Sequence, residues 1–389
     1  MTNGLDVCIR GAGAVGLSLA LALARQGLRV GLTGVGAGAG AAAGAAGAAA
    51  PADVRAYALN AASRRLLTGL KVWDALPADA VTPVDDMHIE GDAPAGALEF
   101  SAWRAGTEAL AWIVDAAALE AALHTAARFA PHLHLLTDAE ADAADAADAA
   151  PATLTVLAEG RASAHRAALG VPFDLRPYGH SALATRLVAD VPHTGLARQW
   201  FRSPDVLALL PFDRPQPGRS FGLVWSMPAE RAAALRAAPP AEFEAALAEA
   251  TGGAAGALAL AGERATWPLA LGRAQRLCGP GWVLVGDAAH LVHPLAGQGL
   301  NLGLADAAAL ARLIAAREPW RAMGDETLLR RYARERAAPT QAMATLTDGL
   351  LHLFAQPQTL VRELRNRGLS LLNHLAPIKR FLTHRALDA

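Results

Sequence analysis

The amino-terminal part of the chain alternates between apolar strand patterns and an apolar helical face. Within residues 5–34, LDVCIRGAGAVGLSLALALARQGLRVGLTG, apolar runs at residues 7–9 and 30–32 predict two strands. Between them, apolar residues recur at the spacing of one helix face over residues 17–24, and Gly27 ends the pattern. The pattern predicts a strand, a glycine-rich turn, a helix and a second strand.

The rest of the chain divides into helical, sheet-like and low-complexity stretches. The pattern predicts helices over residues 54–76, 113–130, briefly after 242, and from 302 to the end. It predicts strands at 133–136 and 153–160, alternating sheet over 176–225, and a buried strand opening WVLVGDAAH at 282. The Ala/Asp stretch at 137–152 is interpreted as a solvated loop or hairpin tip without function. This order indicates a nucleotide domain assembled from discontinuous pieces around an inserted sheet domain.

Composition narrows the class of partner. The chain has 389 residues, enough for two domains. Its 35 Lys and Arg against 36 Asp and Glu give a net charge of -1, so charge offers no argument for nucleic acid or for acidic lipid. Two cysteines, Cys8 and Cys278, are too few for a disulfide framework or a cysteine-based zinc site, and we expect both in the core.

Two uncharged stretches could be mistaken for targeting or membrane segments. Residues 11–24 resemble a signal peptide, but Asp6 precedes them and no basic region does, so we expect a cytoplasmic protein. Residues 30–52 carry no charge but are mostly Ala and Gly, which gain little from hydrocarbon. We expect a flexible surface loop there rather than a membrane span.

The first turn carries the spacing of a phosphate-binding loop. Gly11, Gly13 and Gly16 form G-x-G-x-x-G after a predicted strand and before a helix, where backbone amides can meet a pyrophosphate. The alternative is a purely structural glycine turn. The acid that usually binds the ribose after the second strand is missing, since Thr33 and Gly34 stand there.

A second, longer motif lies downstream. It consists of Gly286-Asp287-Ala288-Ala289-His290, Pro294, Gly297-Gln298-Gly299, Asn301 and Asp306. These residues resemble the flavin-ribityl motif of class A flavoprotein monooxygenases of the para-hydroxybenzoate hydroxylase type. An aspartate at a strand end can bind a ribitol hydroxyl, and a helix N-terminus can stabilise negative charge on the reduced flavin.

The resemblance implies an α/β fold and its organisation. It implies a Rossmann-like FAD-binding domain of the glutathione-reductase type built from discontinuous segments, an inserted mixed β-sheet substrate domain and a helical C-terminal region. We expect the FAD-binding domain at residues 1–75, 105–170 and 266–340, the substrate domain at 76–104 and 171–265, and the helical region at 341–389.

The resemblance also implies a set of FAD contacts. Thr33 would offer a hydroxyl near the ribose, and Arg55 would reach back to the cofactor, the alternative being a solvated arginine. The expected contacts are Gly11, Gly13, Ala14, Val15, Gly16, Thr33, Arg55, Asp287, Pro294, Gly297, Gln298, Gly299, Leu300 and Asn301.

Further segments resemble the flavin hydroxylases of ubiquinone biosynthesis over nearly the whole chain. In VLAEGRASAHR, Glu159 stands where the family has Asp, followed by Gly160, Ser163 and Arg166; a Glu159–Arg166 ion pair is equally plausible. The other matching positions, more typical of fold maintenance than of chemistry, are Tyr178, Pro192, His193, Pro211, Trp225, Asp348, Arg365, Asn366 and Pro377.

The resemblance implies a monooxygenase reaction. NAD(P)H would reduce FAD as a co-substrate, O2 would add at the flavin C4a carbon, and the resulting C4a-hydroperoxyflavin would hydroxylate a lipophilic aromatic ring, a polyprenylated phenol or quinol. The absence of a second G-x-G-x-x-G fits hydroxylases in which the reductant docks transiently.

No residue stands out as a catalytic base. His290, His293 and Tyr178 are weak candidates, followed by His180 and His193, each more typical of a structural role. No third ligand accompanies His290 and His293, so we expect no metal site.

Two other functions stay open. One is an FAD hydroxylase of another aromatic or an FAD reductase of isoprenoid lipids, and the other is a non-catalytic assembly subunit that keeps the fold. The basic tail at 361–385, with spaced leucines, would lie on a membrane surface, pair with a partner of a biosynthetic complex, or pack as an ordinary terminal helix.

Overall fold

The computed structural model describes residues 4–34, 53–91, 97–146, 152–292 and 298–355. The strands in chain order are β1 (Val7–Arg10), β2 (Val30–Thr33), β3 (Ala56–Leu59), β4 (Val81–Val84), β5 (Asp86–Glu90), β6 (Ala97–Ser101), β7 (Ala111–Asp115), β8 (Leu133–Leu135), β9 (Leu154–Leu157), β10 (Phe173–Ala189), β11 (Leu196–Arg202), β12 (Asp205–Phe212), β13 (Ser220–Pro228), β14 (Leu258–Leu260), β15 (Ala265–Ala274), β16 (Cys278–Gly279), β17 (Trp282–Leu284) and β18 (His290–Leu291). The helices are α1 (Ala14–Ala24), α2 (Ala61–Gly69), α3 (Ala102–Ala105), α4 (Ala116–Phe129), α5 (Asp138–Ala146), α6 (Ala164–Ala168), α7 (Ala229–Ala237), α8 (Pro240–Thr251), α9 (Gln298–Ala315) and α10 (Glu326–Ala355).

A six-stranded sheet in the order β16-β17-β9-β1-β2-β8 forms the nucleotide-binding part. All its strands run parallel except β16, which forms a hairpin with β17. Helix α1 packs against α4 and α9. The apolar side chains of β1 and β9 lie in one core with α1 and α9. This arrangement puts the carboxyl ends of β1 and β17 at the same edge of the sheet.

A second, larger sheet follows the order β18-β15-β10-β13-β12-β11-β5-β6, with β14 paired to β10. It is antiparallel apart from the β11–β5 pair. Helices α7 and α8 cover one face, where Trp200, Trp225 and Phe243 are buried in a common core. Its other face is therefore free to meet the rest of the molecule.

A small sheet in the order β3-β7-β4 lies against that other face. Arg186 on β10 donates from Nη2 to the carbonyl oxygen of Arg55 at 2.6 Å and to Asp115 Oδ2 at 3.2 Å. The two sheets are thus joined through a buried arginine. The mixed parallel and antiparallel architecture with helices at the carboxyl end confirms the predicted fold class.

The helical patterns predicted over residues 54–76 and 113–130 each begin with a strand instead. Residues 56–59 form β3, which pairs with β7, and the predicted helical residues 113–115 end β7. In both cases a polar cap separates strand from helix. Asn60 Oδ1 accepts from the amide of Ser63, and Asp115 Oδ1 accepts from the amide of Ala118. Pairing between the two strands overrides the helical spacing of their residues.

The Ala/Asp stretch, predicted to be a loop, contains helix α5. Thr137 and Glu140 form a capping box, since the amide of Thr137 donates to Glu140 Oε2 and the amide of Glu140 to Thr137 Oγ1. Alanine is the best helix former, so a good cap suffices to start the helix. Of the two cysteines, Cys8 is buried as predicted, whereas Cys278 is only half-buried.

None of the helices in the described ranges combines the length and the apolar character that crossing a bilayer requires. The Ala/Gly run at residues 35–52 and the basic tail lie outside the described residues.

Candidate functional site

The glycine turn between β1 and α1 has the backbone that a phosphate-binding loop needs. Gly11 adopts φ +113°, and a side chain there would collide with the carbonyl of Ala158. Gly16 lies against the carbonyl of Gly11, so helix and turn approach closely. A side chain at Gly13 would meet only open space. Among the described residues no side chain caps α1, which leaves its first amides available to an anion.

Thr33, at the end of β2, was expected to offer a hydroxyl to the cofactor, but the structure buries this residue. Thr33 is 2% exposed and lies beside Arg10 in the sheet. Arg10 is buried, and its Nη1 donates to Asp142 Oδ1 on α5 at 2.7 Å. The hydroxyl of Thr33 is thus covered, and its cofactor contact stays a prediction.

Asp287 follows β17 in a short 3-10 turn, Gly286–Ala288. Gly286 adopts φ +60°, the left-handed conformation that reverses the chain. The Asp287 side chain is solvent-accessible. Surrounding protein nevertheless desolvates its carboxyl and raises the pKa of Asp287, while the charge of His290 acts in the opposite direction. We call this solvent-accessible position and the protein around it the Asp287 recess.

Val15 brings the two predicted cofactor segments together. Its side chain lies where a Cβ on Gly286 would touch it at 3.4 Å, and it also fills the space next to Gly303 on α9. The glycine turn, the Asp287 turn and α9 therefore meet at one point. Of the predicted contacts, Gly11 to Gly16, Asp287 and the start of α9 are close in space.

Helix α9 begins at Gln298, and its first residues have distinct surroundings. Gln298 Oε1 is buried with no hydrogen-bond partner in the described parts of the chain. A side chain at Gly299 would meet open space, while Leu300 packs against the main core. His293, Pro294 and Gly297 lie outside the described residues.

Asn301 is occupied by the protein itself. Its Oδ1 accepts from the amide of Asn60 at 3.0 Å and from Ser63 Oγ at 2.7 Å, and its Nδ2 donates to the carbonyl of Ala58 at 2.8 Å. Asn301 is 1% exposed. Its side chain therefore fixes α9 to the β3–α2 connection.

Arg55 lies near the Asp287 recess but is already paired. Its Nη2 donates to Asp53 Oδ2 at 2.6 Å and to Glu120 Oε1 at 3.2 Å. Burial opposes its charge, but the hydrogen-bonded Asp53 outweighs it and the pKa of Arg55 is raised. The positive charge of Arg55 also acts on Asp287.

Sequence reasoning missed Tyr57, which shares this recess. The Arg55 guanidinium lies 5.6 Å from the centre of its ring. Burial raises the pKa of the Tyr57 phenol, and the charge of Asp287 adds to that rise. Its position two residues after Arg55 was the available signal, because side chains two residues apart lie on the same side of an extended segment, and the helical interpretation hid it.

His290 is buried and paired with an aspartate. It is 4% exposed, and its Nε2 lies 2.6 Å from Asp306 Oδ2. Burial opposes protonation, but the Asp306 carboxylate outweighs it, so the pKa of His290 is raised. This pairing favours a structural role for His290, and its role as a base stays a prediction.

The other candidate bases are also engaged. Tyr178 donates from its hydroxyl to Asp348 Oδ1 at 3.1 Å, and burial together with that carboxylate raises the pKa of the phenol. His193 Nδ1 accepts from the amide of Gly195 at 3.1 Å. Burial lowers the pKa of His180. These contacts favour structural roles for Tyr178 and His193.

Glu159 and Arg166, for which an ion pair was one of the alternatives, each bind other groups in the structure. Glu159 accepts from Ser163 Oγ at 2.6 Å and lies 2.6 Å from His165 Nδ1. Arg166 donates from Nη1 to the carbonyl of Ala288 at 3.0 Å and stacks on Phe173. Arg166 therefore supports the Asp287 turn from behind, through its backbone.

A separate recess of about 510 Å³ lies at the amino end of β17, away from the Asp287 turn. Arg276, Cys278, Trp282 and Arg330 line it. None of the predicted cofactor residues that the structure describes borders it. Among the described residues no group of three metal-ligating side chains occurs.

The chain is similar to known proteins in sequence and in fold. A family model described as FAD binding domain matches residues 4–347. The ubiquinone hydroxylase UbiL of Rhodospirillum rubrum is 32% identical over 347 residues, covering 86% of this chain and 80% of that protein. The 3-demethoxyubiquinol 3-hydroxylase of Escherichia coli is 30% identical over 349 residues, covering 84% and 85%.

Solved structures show the same fold. PqsL, a probable FAD-dependent monooxygenase from Pseudomonas aeruginosa, superposes with a TM-score of 0.73 at 22% identity, covering 94% of this chain and 99% of that one. HpxO of Klebsiella pneumoniae, complexed with FAD and uric acid, gives 0.69 at 18% identity, covering 99% and 97%. The predicted resemblance to class A flavoprotein monooxygenases is confirmed, and the chain belongs to the FAD binding domain family with FAD as its cofactor.

Proposed function

We propose that this enzyme hydroxylates the aromatic ring of a polyprenylated phenol or quinol in ubiquinone biosynthesis, using FAD, NAD(P)H and O2. The observation that carries the proposal is similarity over most of the chain to ubiquinone hydroxylases, together with a glycine turn and an Asp287 turn that meet at Val15. Bound FAD, once reduced by NAD(P)H, would supply activated oxygen at its C4a carbon.

The residues of the recess fit FAD. The uncapped amides at the start of α1 and the open space beside Gly13 suit a pyrophosphate. The accessible Asp287 carboxylate suits the ribityl hydroxyls. Gln298 Oε1, a buried acceptor with no partner in the described residues, suits a donor group at the ring end of the cofactor.

The start of α9 would serve the flavin ring. Helix α9 is 18 residues long, so its amino end carries the partial positive charge of a full helix dipole. Negative charge on the reduced ring would be stabilised there without any side-chain movement. The open space beside Gly299 would let the backbone approach the ring.

The face of the large sheet toward β3 offers an apolar wall for the substrate ring. Arg186 and Gly222 occupy neighbouring positions on this face and lie against β3. Ala184, Val224 and Ala208, aligned across β10, β13 and β12, continue the same face. Val224 and Ala208 are half-buried although they lie in central strands, so the face is partly open.

Small apolar side chains on an open sheet face leave room for a ring and its lipid substituent and exclude water. We assign no protein base to the reaction, and His290 and Tyr178 are both engaged with carboxylates. The NAD(P)H partner and the membrane surface or protein complex that presents the lipid are part of this proposal.

Turnover assays test the substrate class. The purified holoenzyme should consume NADH or NADPH faster when a polyprenylphenol is added, and small hydroxybenzoates should have little effect. Stimulation by hydroxybenzoates but not by polyprenylphenols would contradict the proposal. A purified chain that stays colourless and takes up no FAD would favour the assembly-subunit alternative.

A further inference from the structure

Asp306 on α9 is a buried acceptor for three donors. It is 0% exposed. Its Oδ2 accepts from the amide of Gly286 at 2.9 Å and lies 2.6 Å from His290 Nε2, and its Oδ1 accepts from Arg336 Nε at 2.6 Å. Asp306 belongs to the flavin-type motif, yet these bonds leave it enclosed in protein rather than facing the recess.

Two of these three bonds hold the turn that carries Asp287. The amide of Gly286 immediately precedes Asp287, and His290 lies three residues after it. A single carboxylate therefore fixes both ends of the segment. Because Gly286 is in a left-handed conformation, which a glycine can easily leave, the bond to its amide has a clear effect on the direction of the turn.

Arg336 holds Asp306 from the C-terminal helix. It is 7% exposed, and its Nη2 also donates to the carbonyl of Leu302 at 3.3 Å. One turn earlier on α10, Tyr332 donates from its hydroxyl to the carbonyl of Leu284 at 3.1 Å. The same face of α10 thus contacts both β17 and α9, the two elements on either side of the Asp287 turn.

Charge supports this arrangement. Burial opposes the charge on Asp306, but His290 and Arg336 outweigh it and hold its pKa below the ordinary value. Asp306 therefore stays an acceptor across the neutral range. Losing either cation would leave a buried carboxylate short of a donor, which is costly.

We propose that Arg336 and Asp306 are positioning residues: through the Gly286 amide and His290 they hold the Asp287 turn in the shape that binds FAD. This rests on the proposed role of Asp287 as an FAD contact. Helix α10 contains none of the predicted cofactor residues, and through Arg336 it thereby becomes part of the cofactor site.

The test compares FAD binding by apoprotein variants, measured by quenching of flavin fluorescence on the folded fraction. Arg336→Met should weaken FAD binding by about tenfold or more. Arg336→Lys should recover part of that loss. The matched control is Arg334→Met, an exposed arginine two residues away on the same helix, which should leave affinity unchanged. Asp306→Asn, which keeps the shape, is the second variant if Arg336→Met does not fold.

The decisive comparison repeats Arg336→Met in an Asp287→Ala background. If Arg336 acts through Asp287, Arg336→Met should weaken FAD binding by less than about a further twofold in this background. An undiminished additional loss would show a general structural role and overturn the inference, as would wild-type affinity in a folded Arg336 or Asp306 variant. An Asp287→Ala protein that binds FAD normally would instead contradict the proposed cofactor role itself.

Discussion

At the residue scale, Asp287 combines two opposing demands. Its proposed contact with FAD uses an ionised carboxylate, while the surrounding protein raises the pKa of that carboxyl. In the pH range between the unfolded-state pKa and the raised folded-state pKa, the folded chain holds more protons than the unfolded chain. The stability that this group contributes at low pH is therefore lost as pH rises through the raised pKa.

This conflict predicts opposite effects of one substitution. Asp287→Asn should raise the melting temperature of the apoprotein at neutral pH and weaken FAD binding by about tenfold. Thermal melts over a pH series and FAD titration measure the two effects. Asp86→Asn, at an exposed strand position, is the control and should change neither. An Asp287→Asn apoprotein that is less stable at neutral pH would contradict this account of its pKa.

Tyr178 is the residue for which the sequence and the structure lead to different expectations. Its polar ring in the presumed substrate sheet made it a candidate base, but it donates a hydrogen bond to Asp348. Tyr178→Phe should therefore lower the hydroxylation rate by roughly tenfold at most. Loss of a general base typically lowers a rate by about 100-fold or more. The pH profile of the rate should keep its shape. A large fall with a changed profile would restore Tyr178 as a catalytic residue.

At the element scale, a motif whose residues require one backbone geometry could be predicted from the sequence. Segments whose structure depends on pairing with distant residues could not. The G-x-G-x-x-G turn lies between β1 and α1, as predicted, because its glycines require that backbone. Strand β3 was misread because its residues repeat at helical spacing and only pairing with β7, more than 50 residues away, makes them a strand. No local signal carries that pairing.

Helix α5 shows the same limit in a low-complexity stretch. Its Asp142 pairs with the buried Arg10, immediately before the glycine turn. Asp142 is itself 64% exposed, so solvent weakens the pair. Asp142→Ala should lower the free energy of unfolding by about 1 kcal/mol. Asp138→Asn on the same helix should have a smaller effect in the same denaturant titration. Equal effects would show that Arg10 does not depend on Asp142.

At the scale of the whole molecule, the order of motifs along the chain was enough to predict the fold class and the family. The residue-level division of domains, and the site residues themselves, stay predictions. Sequence reasoning could not foresee that α10 contacts both α9, where Arg336 binds Asp306, and β10, where Asp348 accepts from Tyr178. Such contacts depend on how a distant helix packs, which the pattern of its own residues does not predict.

The central claim is that this chain transfers one oxygen atom from O2 to the ring of a lipophilic phenol. The most direct measurement is mass spectrometry of the product after turnover of the FAD-loaded enzyme with NAD(P)H, a polyprenylphenol and ¹⁸O-labelled O2. The account predicts a singly hydroxylated ring carrying one ¹⁸O. An unmodified phenol with hydrogen peroxide as the sole product of O2, or a hydroxyl that takes its oxygen from water, would contradict it.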